Sequence, residues 1–390
     1  MSFTKIRFLT SGESHGPAVT AILEGLPAGL AVSREKLQHQ MSRRQRGYGR
    51  GGRMKIETDE VEITGGIRFG KTIGSPITIV VRNRDFQNWQ ESMAVWDIPP
   101  EPKKAVHRPR PGHTDLPGGQ KFGEHDLRNI LERASARETV ARVAAGSLCR
   151  QLLEIAGIQI ASHVVSVGRV GTPLKSPTWD EIQRIQDSEK LRCADSATEE
   201  KMILEIEEAK KRKETLGGVF EVLGRGVPPG LGSHVQWDKK LDGRLAQAFL
   251  SIPAVKGVSI GDAFQMASVW GSEAHDEIFY QREQGFYRKT NRSGGTEGGI
   301  TTGQELRILA AMKPLSTLMK PLQSVDVNTK GAVEAVVERS DVTSVPAAAV
   351  VGEAMLAMVL ADALLEKFSS DSVSELIAAI SFYNKQLDKY

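Results

Sequence analysis

The chain is poor in cysteine, with only Cys149 and Cys193 in 390 residues. Two thiols cannot staple a chain of this length and neither belongs to a C-x-x-C pair, so a disulfide framework and a thiolate zinc site are excluded and a reducing compartment is expected. Charge of one sign is also missing. Lys plus Arg number 51 against 48 Asp plus Glu, a net charge of +3 with histidine neutral, which is too little for a polyanion binder unless it is concentrated locally. No long hydrophobic run occurs. The most apolar stretch, Val345 to Leu365, is interrupted by Glu353 and Asp362, so its uninterrupted runs fall short of the ~20 residues a bilayer core requires and a buried helix is expected instead of a membrane span. Met1 to Arg7 carries no apolar core followed by a small-residue cleavage site, which makes the cytoplasm the expected location. What remains, 40% hydrophobic and 25% charged, is ordinary globular composition, long enough for two or three domains or one large duplicated one.

A short grammar occurs twice. Gly25-Leu26-Pro27-Ala28-Gly29-Leu30 follows a β-like run, Val19 to Leu23, and precedes a helix-like one with Leu37 and Met41 spaced by four. Later, Val219 to Leu223 leads into Gly226-Val227-Pro228-Pro229-Gly230-Leu231 and a run with Leu241, Leu245 and Phe249 on one face. Each copy then reaches a further strand, Val61 to Ile63 or Val258 to Ile260. Either a common turn type recurs by chance or the chain is duplicated; order and spacing both repeat, and a duplication would put a site between the halves. Asp126 to Ile155, Ala-rich and stopped by Gly157, reads as one long helix packed on several sides. Glu199 to Glu214 reads as an exposed helix with Glu207–Lys211 and Glu208–Arg212 pairs. Strands and helices without strict alternation favour an α+β fold. No low-complexity linker marks a domain boundary, so one domain spanning 1–390 is expected, its halves meeting near 200.

Two nucleotide-binding patterns are present in letters only. Gly65-Gly66-Ile67-Arg68-Phe69-Gly70-Lys71-Thr72 spells a P-loop, yet Gly74, Pro76 and the strand-like Ile77 to Val81 follow where a helix must begin to aim N–H groups at phosphate. A Gly-turn hairpin is the expected structure. Gly47-Tyr48-Gly49-Arg50-Gly51-Gly52 spells G-x-G-x-x-G without the strand and helix that the dinucleotide motif needs.

The chemistry gathers elsewhere. Arg34, Lys36, Arg43, Arg44, Arg46, Arg50, Arg53 and Lys55 face Glu35 alone across one stretch. This is either a solvated basic face, a nucleic-acid strip or an anion clamp; glycines and the scarcity of aromatics, Tyr48 alone, favour a clamp for phosphorylated small molecules. The same glycines suggest a lid over Arg43 to Arg53 that orders only when a substrate anion relieves repulsion among Arg44, Arg50 and Arg53. His15 and His113 lie among Gly and Pro, the second in Arg108-Pro109-Arg110-Pro111-Gly112-His113-Thr114-Asp115, positions suited to proton transfer rather than to a core. His39 and His163 are expected to be structural, and nothing around His275 has the spacing of a metal site. Arg133 and Arg137, one turn apart on the expected helix, would be buried charges seeking an anion or pairing with Glu132 or Glu138. Gly294 to Gly299 can lie flat against a ligand, and Lys313-Pro314-Leu315-Ser316-Thr317 offers a cation, hydroxyls and N–H groups to a cofactor phosphate.

Taken in order, His15, Tyr48-Gly49-Arg50-Gly51, His113, Arg133-Ala134-Ser135-Ala136-Arg137, Gly294 to Gly299, Lys313 to Thr317 and Arg339 to Asp341 make a set that resembles the chorismate synthase family over almost the whole chain. The resemblance implies an α+β, β-α-β sandwich with central helices between antiparallel sheets, internal pseudo-symmetry and a homotetramer. It implies an anti 1,4-elimination of phosphate and the C6 proton from 5-enolpyruvylshikimate-3-phosphate, needing reduced FMN (FMNH2) without net redox change. By the same resemblance His113 assists at the leaving phosphate, His15 protonates or polarises the reduced flavin, and Asp341 helps the flavin N5 region take the C6 proton. Arg50, Arg133 and Arg339 neutralise the substrate's anionic groups. FMN contacts carry over to Arg133, Ala134, Ser135, Gln247, Ala248, Gly298, Lys313, Pro314, Leu315, Ser316, Thr317 and Arg339. Arg44 and Arg50 match positions associated with a nicotinamide nucleotide, which leaves NADPH or a separate flavin reductase as the source of electrons. No metal, nucleic acid or membrane is implied. Ala134 stands where the family commonly has a first serine and Thr114 where alanine is common, so one hydroxyl is missing near the flavin. A P-loop kinase and an RNA-binding module are the rivals from other classes.

Overall fold

The computed structural model describes residues 5–51, 58–96, 103–172, 177–188, 190–338 and 340–390. The chain begins with β1 (Arg7–Ser11), β2 (Ala18–Glu24), α1 (Arg34–Gln45) and β3 (Val61–Gly65). A small hairpin of β4 (Ile67–Arg68) and β5 (Lys71–Thr72) leads to β6 (Ile77–Arg82), α2 (Asp115–Phe122), α3 (Arg128–Arg133) and α4 (Thr139–Ile155). Then come β7 (Gln159–Val167), β8 (Val170–Gly171), α5 (Trp179–Arg184), α6 (Ser196–Lys211), β9 (Gly218–Arg225), α7 (Leu241–Leu250) and β10 (Val255–Ile260). Short helices α8 (Ala263–Met266) and α9 (Gly271–Ala274) and the hairpin β11 (Ile278–Gln281) and β12 (Gly285–Arg288) precede a second small hairpin, β13 (Thr296–Glu297) and β14 (Ile300–Thr301). The chain closes with β15 (Leu306–Met312), β16 (Gln323–Val325), β17 (Ala332–Glu334), α10 (Val345–Phe368) and α11 (Val373–Leu387).

Alternation of apolar and polar residues makes each main strand one-sided, as a period of two requires. Val19, Ala21 and Leu23 of β2 and Ile77, Ile79 and Val81 of β6 are buried on one face. The first sheet has the antiparallel order β1-β2-β6-β3, and the second has β10-β15-β9-β7-β8. Their registers correspond. Val19 faces Val81 and Leu23 faces Ile77 in the first sheet, as Phe220 faces Ala310 and Gly224 faces Leu306 in the second. Ile63 faces Ile79 as Ile260 faces Ile308. The second sheet begins with Gln159, ahead of the position near 200 where the halves were expected to meet.

Helices α4 and α10 pack together between the sheets, α4 on β2 and β6, α10 on β7 and β9. Glycine permits the approach: a Cβ on Gly146 would lie 2.6 Å from Ala354 Cα, and one on Gly352 would lie 2.9 Å from the Phe220 ring. α10 is the apolar stretch read from the sequence, and it is almost wholly enclosed by protein. This is the α+β class that the residue pattern suggested and the sandwich with central helices that the resemblance implied. A buried ionic node ties the layers. Glu353 of α10 accepts from Arg43 Nη1 and Nη2 of α1 at 2.6 and 2.9 Å, from Arg150 of α4 at 2.7 Å and from Ser162 of β7 at 2.5 Å.

Two expectations about helices change, and the expected Gly-turn hairpin is present. The helix expected over Asp126 to Ile155 is broken: α3 ends at Arg133, Ser135 is extended at ψ 143°, and α4 begins after a 3-10 turn. The Ser135 hydroxyl accepts the Arg137 N–H at 3.3 Å, a local bond that competes with helix continuation. The charged helix runs Ser196–Lys211, capped by Asp195, and is half-buried through Met202 and Ile206; Glu208 pairs with Arg212 at 2.7 Å, whereas Glu207 accepts from Tyr48 at 3.0 Å. The P-loop lookalike is the β4–β5 hairpin, turning through Phe69 and Gly70 at φ 52° and 72°.

Candidate active site

In the loop before α2, prolines at 109 and 111 keep the chain extended and Gly112 turns it at φ 77°. His113 Nδ1 then lies 2.6 Å from Asp115 Oδ1, while Arg110 donates through Nε to Oδ2 at 2.8 Å and through Nη2 to Oδ1 at 3.1 Å. Burial alone would raise the Asp115 carboxyl, but bonds from His113 and Arg110 prevail and hold it well below the carboxylate range. Arg110 Nη1 also donates to Thr317 Oγ1 at 2.7 Å, and Lys313 Nζ donates to Ser316 Oγ at 2.9 Å, which in turn donates to Gly112 O at 2.9 Å. The His113 loop and the Lys313 to Thr317 segment thus form one wall. Burial, with Lys256 nearby, pulls the Lys313 ammonium below its ordinary value.

His15 occupies a second corner. Its Nδ1 lies 2.9 Å from Glu132 Oε1, its backbone N–H donates to Glu132 Oε2 at 2.8 Å, and its ring stacks on Trp89 with centroids 3.8 Å apart. Lys104 Nζ lies 3.5 Å from a Trp89 ring centroid. Arg128 donates to Glu132 at 3.3 Å, to Glu338 at 2.8 Å and to Lys104 O at 2.9 Å. Burial opposes ionisation of Glu132, and His15 and Arg128 overcome it, so the carboxyl is lowered.

Between these corners lie Glu338, which meets Arg128, and the segment Ser340 to Ser344. Asp341 accepts the Gly51 N–H at 2.6 Å and the Ser344 hydroxyl at 2.8 Å, and it pairs with Arg50 at 3.0 Å. Val342 donates its N–H to Gly49 O and accepts from Leu216 N, each at 2.8 Å. Next to it Thr215 donates to Leu315 O at 2.7 Å, which joins this segment to the Lys313 wall. Arg339 lies outside the described residues. Burial pulls the Arg50 guanidinium down, Asp341 pushes it up and Arg44 pushes it further down.

The basic stretch differs from its expectation. Arg43 pairs with Glu353, Arg44 with Asp59 at 2.5 Å, and Arg137 shares Asp59 and donates to Asn83 at 2.8 Å. Carboxylates elsewhere in the chain therefore neutralise these arginines, so the mutual repulsion from which a lid was expected is relieved without a substrate anion; Gly52 and Arg53 lie outside the described residues. Arg44, matched above to a nicotinamide nucleotide, is enclosed against Asp59 and Thr139. The helix break also separates Arg133 from Arg137. Arg133 is exposed and donates to Thr10 O, Thr10 Oγ1 and Gly12 O at 2.9, 2.7 and 3.0 Å, crossing the open edge of β1 beside the His15 loop. Ala134 and Ser135 follow it.

Gln247 and Ala248, on the last turns of α7, connect to the same side. Ser251 donates to Ala248 O at 2.6 Å and accepts from Arg142 at 2.7 Å; Arg142 pairs with Glu138, and Glu138 accepts from Thr10 at 3.0 Å. Gly298 is apart. It turns the β13–β14 hairpin, which meets the start of α7 through Leu241 N–H to Gly299 O at 2.9 Å, whereas Lys313 follows the far end of β15. His163 is buried against Glu221 at 2.7 Å, and His39, at the surface, lies 2.6 Å from Asp187. Sequence reasoning missed Glu132, Arg128, Trp89 and Asp59 as members of the site. Only Glu132, adjacent to Arg133, had a local signal; the others meet their partners through the fold.

Two carboxylate-anchored histidines and a third carboxylate, with arginines and a lysine around them on a β-α-β sandwich, form a site equipped for proton transfer beside an anionic small molecule. Residues 6–365 match the chorismate synthase family. The chain is 53% identical over 387 residues to the chorismate synthase of Aquifex aeolicus, covering 96% of each protein, and 55% identical over 378 residues to that of Desulforamulus reducens, covering 96% and 97%. A crystal structure of chorismate synthase matches with a TM-score of 0.80 at 43% identity, covering 99% of both chains. The chain belongs to the chorismate synthase family, carbon–oxygen lyases of the shikimate pathway that convert 5-enolpyruvylshikimate-3-phosphate to chorismate with loss of phosphate.

Proposed function

We propose that the chain performs this elimination with reduced FMN bound between the His15 and His113 corners, as a single domain of two pseudo-repeated halves. The observation that carries the reading is the state of two cations. Arg43, Arg44, Arg50, Arg110, Arg128 and Arg137 all meet carboxylates. Among the described residues Lys313 and Arg133 do not: their partners are hydroxyl and carbonyl oxygens only. A partly buried ammonium beside the hydroxyls of Ser316 and Thr317 fits a cofactor phosphate, and the exposed guanidinium of Arg133 fits a carboxylate or phosphate of the substrate.

When bound, reduced FMN supplies transient electron donation that helps phosphate leave an allylic carbon. The protein's own groups do the rest. His113, with Asp115 behind it, is assigned to the leaving phosphate, where a proton or a hydrogen bond compensates the growing negative charge. His15 is assigned to the flavin side, and Asp341 to assistance in removing the C6 proton. Arg50, Arg133 and Arg339 hold the substrate's anionic groups, and Ala134, Ser135, Gln247, Ala248, Gly298 and Lys313 to Thr317 are assigned to the cofactor. For electrons, NADPH acting at this chain and a separate flavin reductase are the two sources; anaerobic FMN reduction by NADPH with and without the protein separates them.

A homotetramer is proposed from the family resemblance; exposed Leu9, Ile22, Phe264, Trp270, Phe286 and Phe382 are apolar side chains that an association of copies could cover. Burial of both unpaired thiols, with Cys149 pushed up to about 12 and Cys193 to about 11, supports a cytoplasmic location. Arginines 43 and 44 committed to internal carboxylates support a small-molecule site over a nucleic-acid surface. The test is anaerobic incubation of the protein, FMN reduced once at the start, and 5-enolpyruvylshikimate-3-phosphate. Phosphate and chorismate should accumulate in large excess over flavin. Release that stops at one equivalent per flavin, or none at all, overturns the reading.

A further inference from the structure

His15 is held by one edge and one face. Nδ1 lies 2.9 and 3.0 Å from the two oxygens of Glu132, the backbone N–H of His15 donates to the same carboxylate, and the ring plane rests 19° from that of Trp89. Among the described residues Nε2 has no hydrogen-bond partner, and it is not an enclosed polar atom. The Glu132 side chain is wholly buried, whereas His15 retains an open edge.

We propose that Glu132 is a positioning residue of the elimination: it keeps the neutral His15 imidazole protonated at Nδ1 and so directs Nε2 at the bound substrate and cofactor, while Trp89 sets the plane of the ring. The proposal rests on the function proposed above. A carboxylate can only accept, so the ring nitrogen facing it must carry the hydrogen, and in a neutral imidazole the other nitrogen is then the one able to take or pass on a proton.

The surroundings keep Glu132 available for this task. Arg128, one helical turn earlier on α3, faces it at 3.3 Å and balances its charge, and Arg128 is itself anchored to Glu338 and to Lys104 O. Lys104, from the segment beyond, faces the Trp89 ring, not the carboxylate. No other charged side chain among the described residues forms an ion pair with Glu132. His113 repeats the device, with Asp115 at Nδ1. The 3.1 Å approach of Arg110 Nη2 to that same nitrogen follows from two donors converging on Asp115 Oδ1.

Glu132→Gln separates this role from mere attachment of the loop. The amide oxygen can still accept the His15 backbone N–H, but its NH2 then faces Nδ1 and turns that nitrogen into an acceptor, which moves the ring proton to Nε2. The experiment is a 15N spectrum of full-length protein labelled in its histidine rings, with His15 assigned by its loss in His15→Asn, together with steady-state kinetics. The wild-type spectrum should show the proton on Nδ1. Glu132→Gln should show it on Nε2 and lower kcat about tenfold or more, since a positioned acid–base group contributes about 10²- to 10⁴-fold, while KM stays within about twofold because the substrate's anions are held by other residues. A wild-type proton on Nε2 overturns the proposal without recourse to any variant, as does a Glu132→Gln protein with the wild-type tautomer and kcat. Wild-type protein that shows the Nδ1 proton yet releases no phosphate overturns the reaction instead, so the two failures are told apart.

Discussion

Thr72 and Thr301 do the same work in the two small hairpins, β4–β5 and β13–β14. The Thr72 hydroxyl donates to Pro27 O at 2.6 Å and accepts the Leu30 N–H at 3.0 Å; that of Thr301 donates to Pro228 O at 2.7 Å and accepts the Leu231 N–H at 2.8 Å. Gly29 N–H reaches Thr72 O as Gly230 N–H reaches Thr301 O, both at 2.9 Å. The P-loop lookalike and the glycine loop are therefore counterparts, with Gly66 at φ 85° and Gly295 at 83°, and the turn pairs Phe69–Gly70 and Gly298–Gly299 all at positive φ.

Because each threonine satisfies two buried backbone groups, Thr72→Val and Thr301→Val should each cost about 1–3 kcal/mol, with near-complete rescue by serine. The sites lie in different sheets, so the double variant should lose close to the sum. Urea unfolding of the single and double variants measures it. A loss below a few tenths of a kcal/mol in both singles would show that the hydroxyls are idle.

Acid stability should depend on Glu353. Burial opposes its ionisation, but Arg43, Arg150 and Ser162 prevail and bring the carboxyl from 4.5 down to about 2. A lowered folded value means that the native state favours the deprotonated form, so this contribution is complete above the unfolded value and disappears as the pH falls from about 4.5 towards 2. Glu353→Gln should lose about 3–5 kcal/mol at neutral pH, because two arginines keep their burial and lose their counter-charge. It should also show a flatter decline between pH 5 and 3. Unfolding midpoints across that range decide the matter, and a variant as acid-sensitive as the wild type would count against the assignment.

His113→Ala and His15→Ala should each slow turnover by about 10²-fold or more, the range of a positioned acid–base group, with smaller changes in substrate affinity. Asp115→Asn should resemble a mild His113 variant, since the Nδ1 donor loses its anionic acceptor. Single-turnover phosphate release separates chemistry from binding. Wild-type rates in either alanine variant would remove that histidine from proton transfer.

The segment through Gly51 should be ordered without ligand. Tyr48 N–H bonds Lys190 O at 3.1 Å and Gly51 N–H bonds Asp341 at 2.6 Å, so hydrogen exchange at both amides should be slowed in the free protein and change little on adding FMN and substrate. Protection that arises only in the ternary complex would restore the picture of a lid.

Much was legible from neighbouring residues, because the signals act over a few positions. Alternation in Val19 to Leu23 and Ile77 to Val81 gives strands, Gly74 and Pro76 forbid the helix of a P-loop, and His15 and His113 among Gly and Pro stand out as loop groups. The repeat of Gly25 to Leu30 at Gly226 to Leu231 was visible for the same reason. Which acid meets which base was not visible. Arg43 and Glu353 are 310 positions apart, His15 and Glu132 117, and Arg137 and Asp59 78. No periodicity spans such distances. An arginine-rich stretch looks self-repelling as a string and becomes neutral once sheets and central helices bring carboxylates to it, and burial then makes those pairings obligatory, since a charge removed from water requires a partner. Chemical identity of the reacting groups is thus a property of the chain, whereas their protonation, orientation and counter-charges belong to the packed molecule.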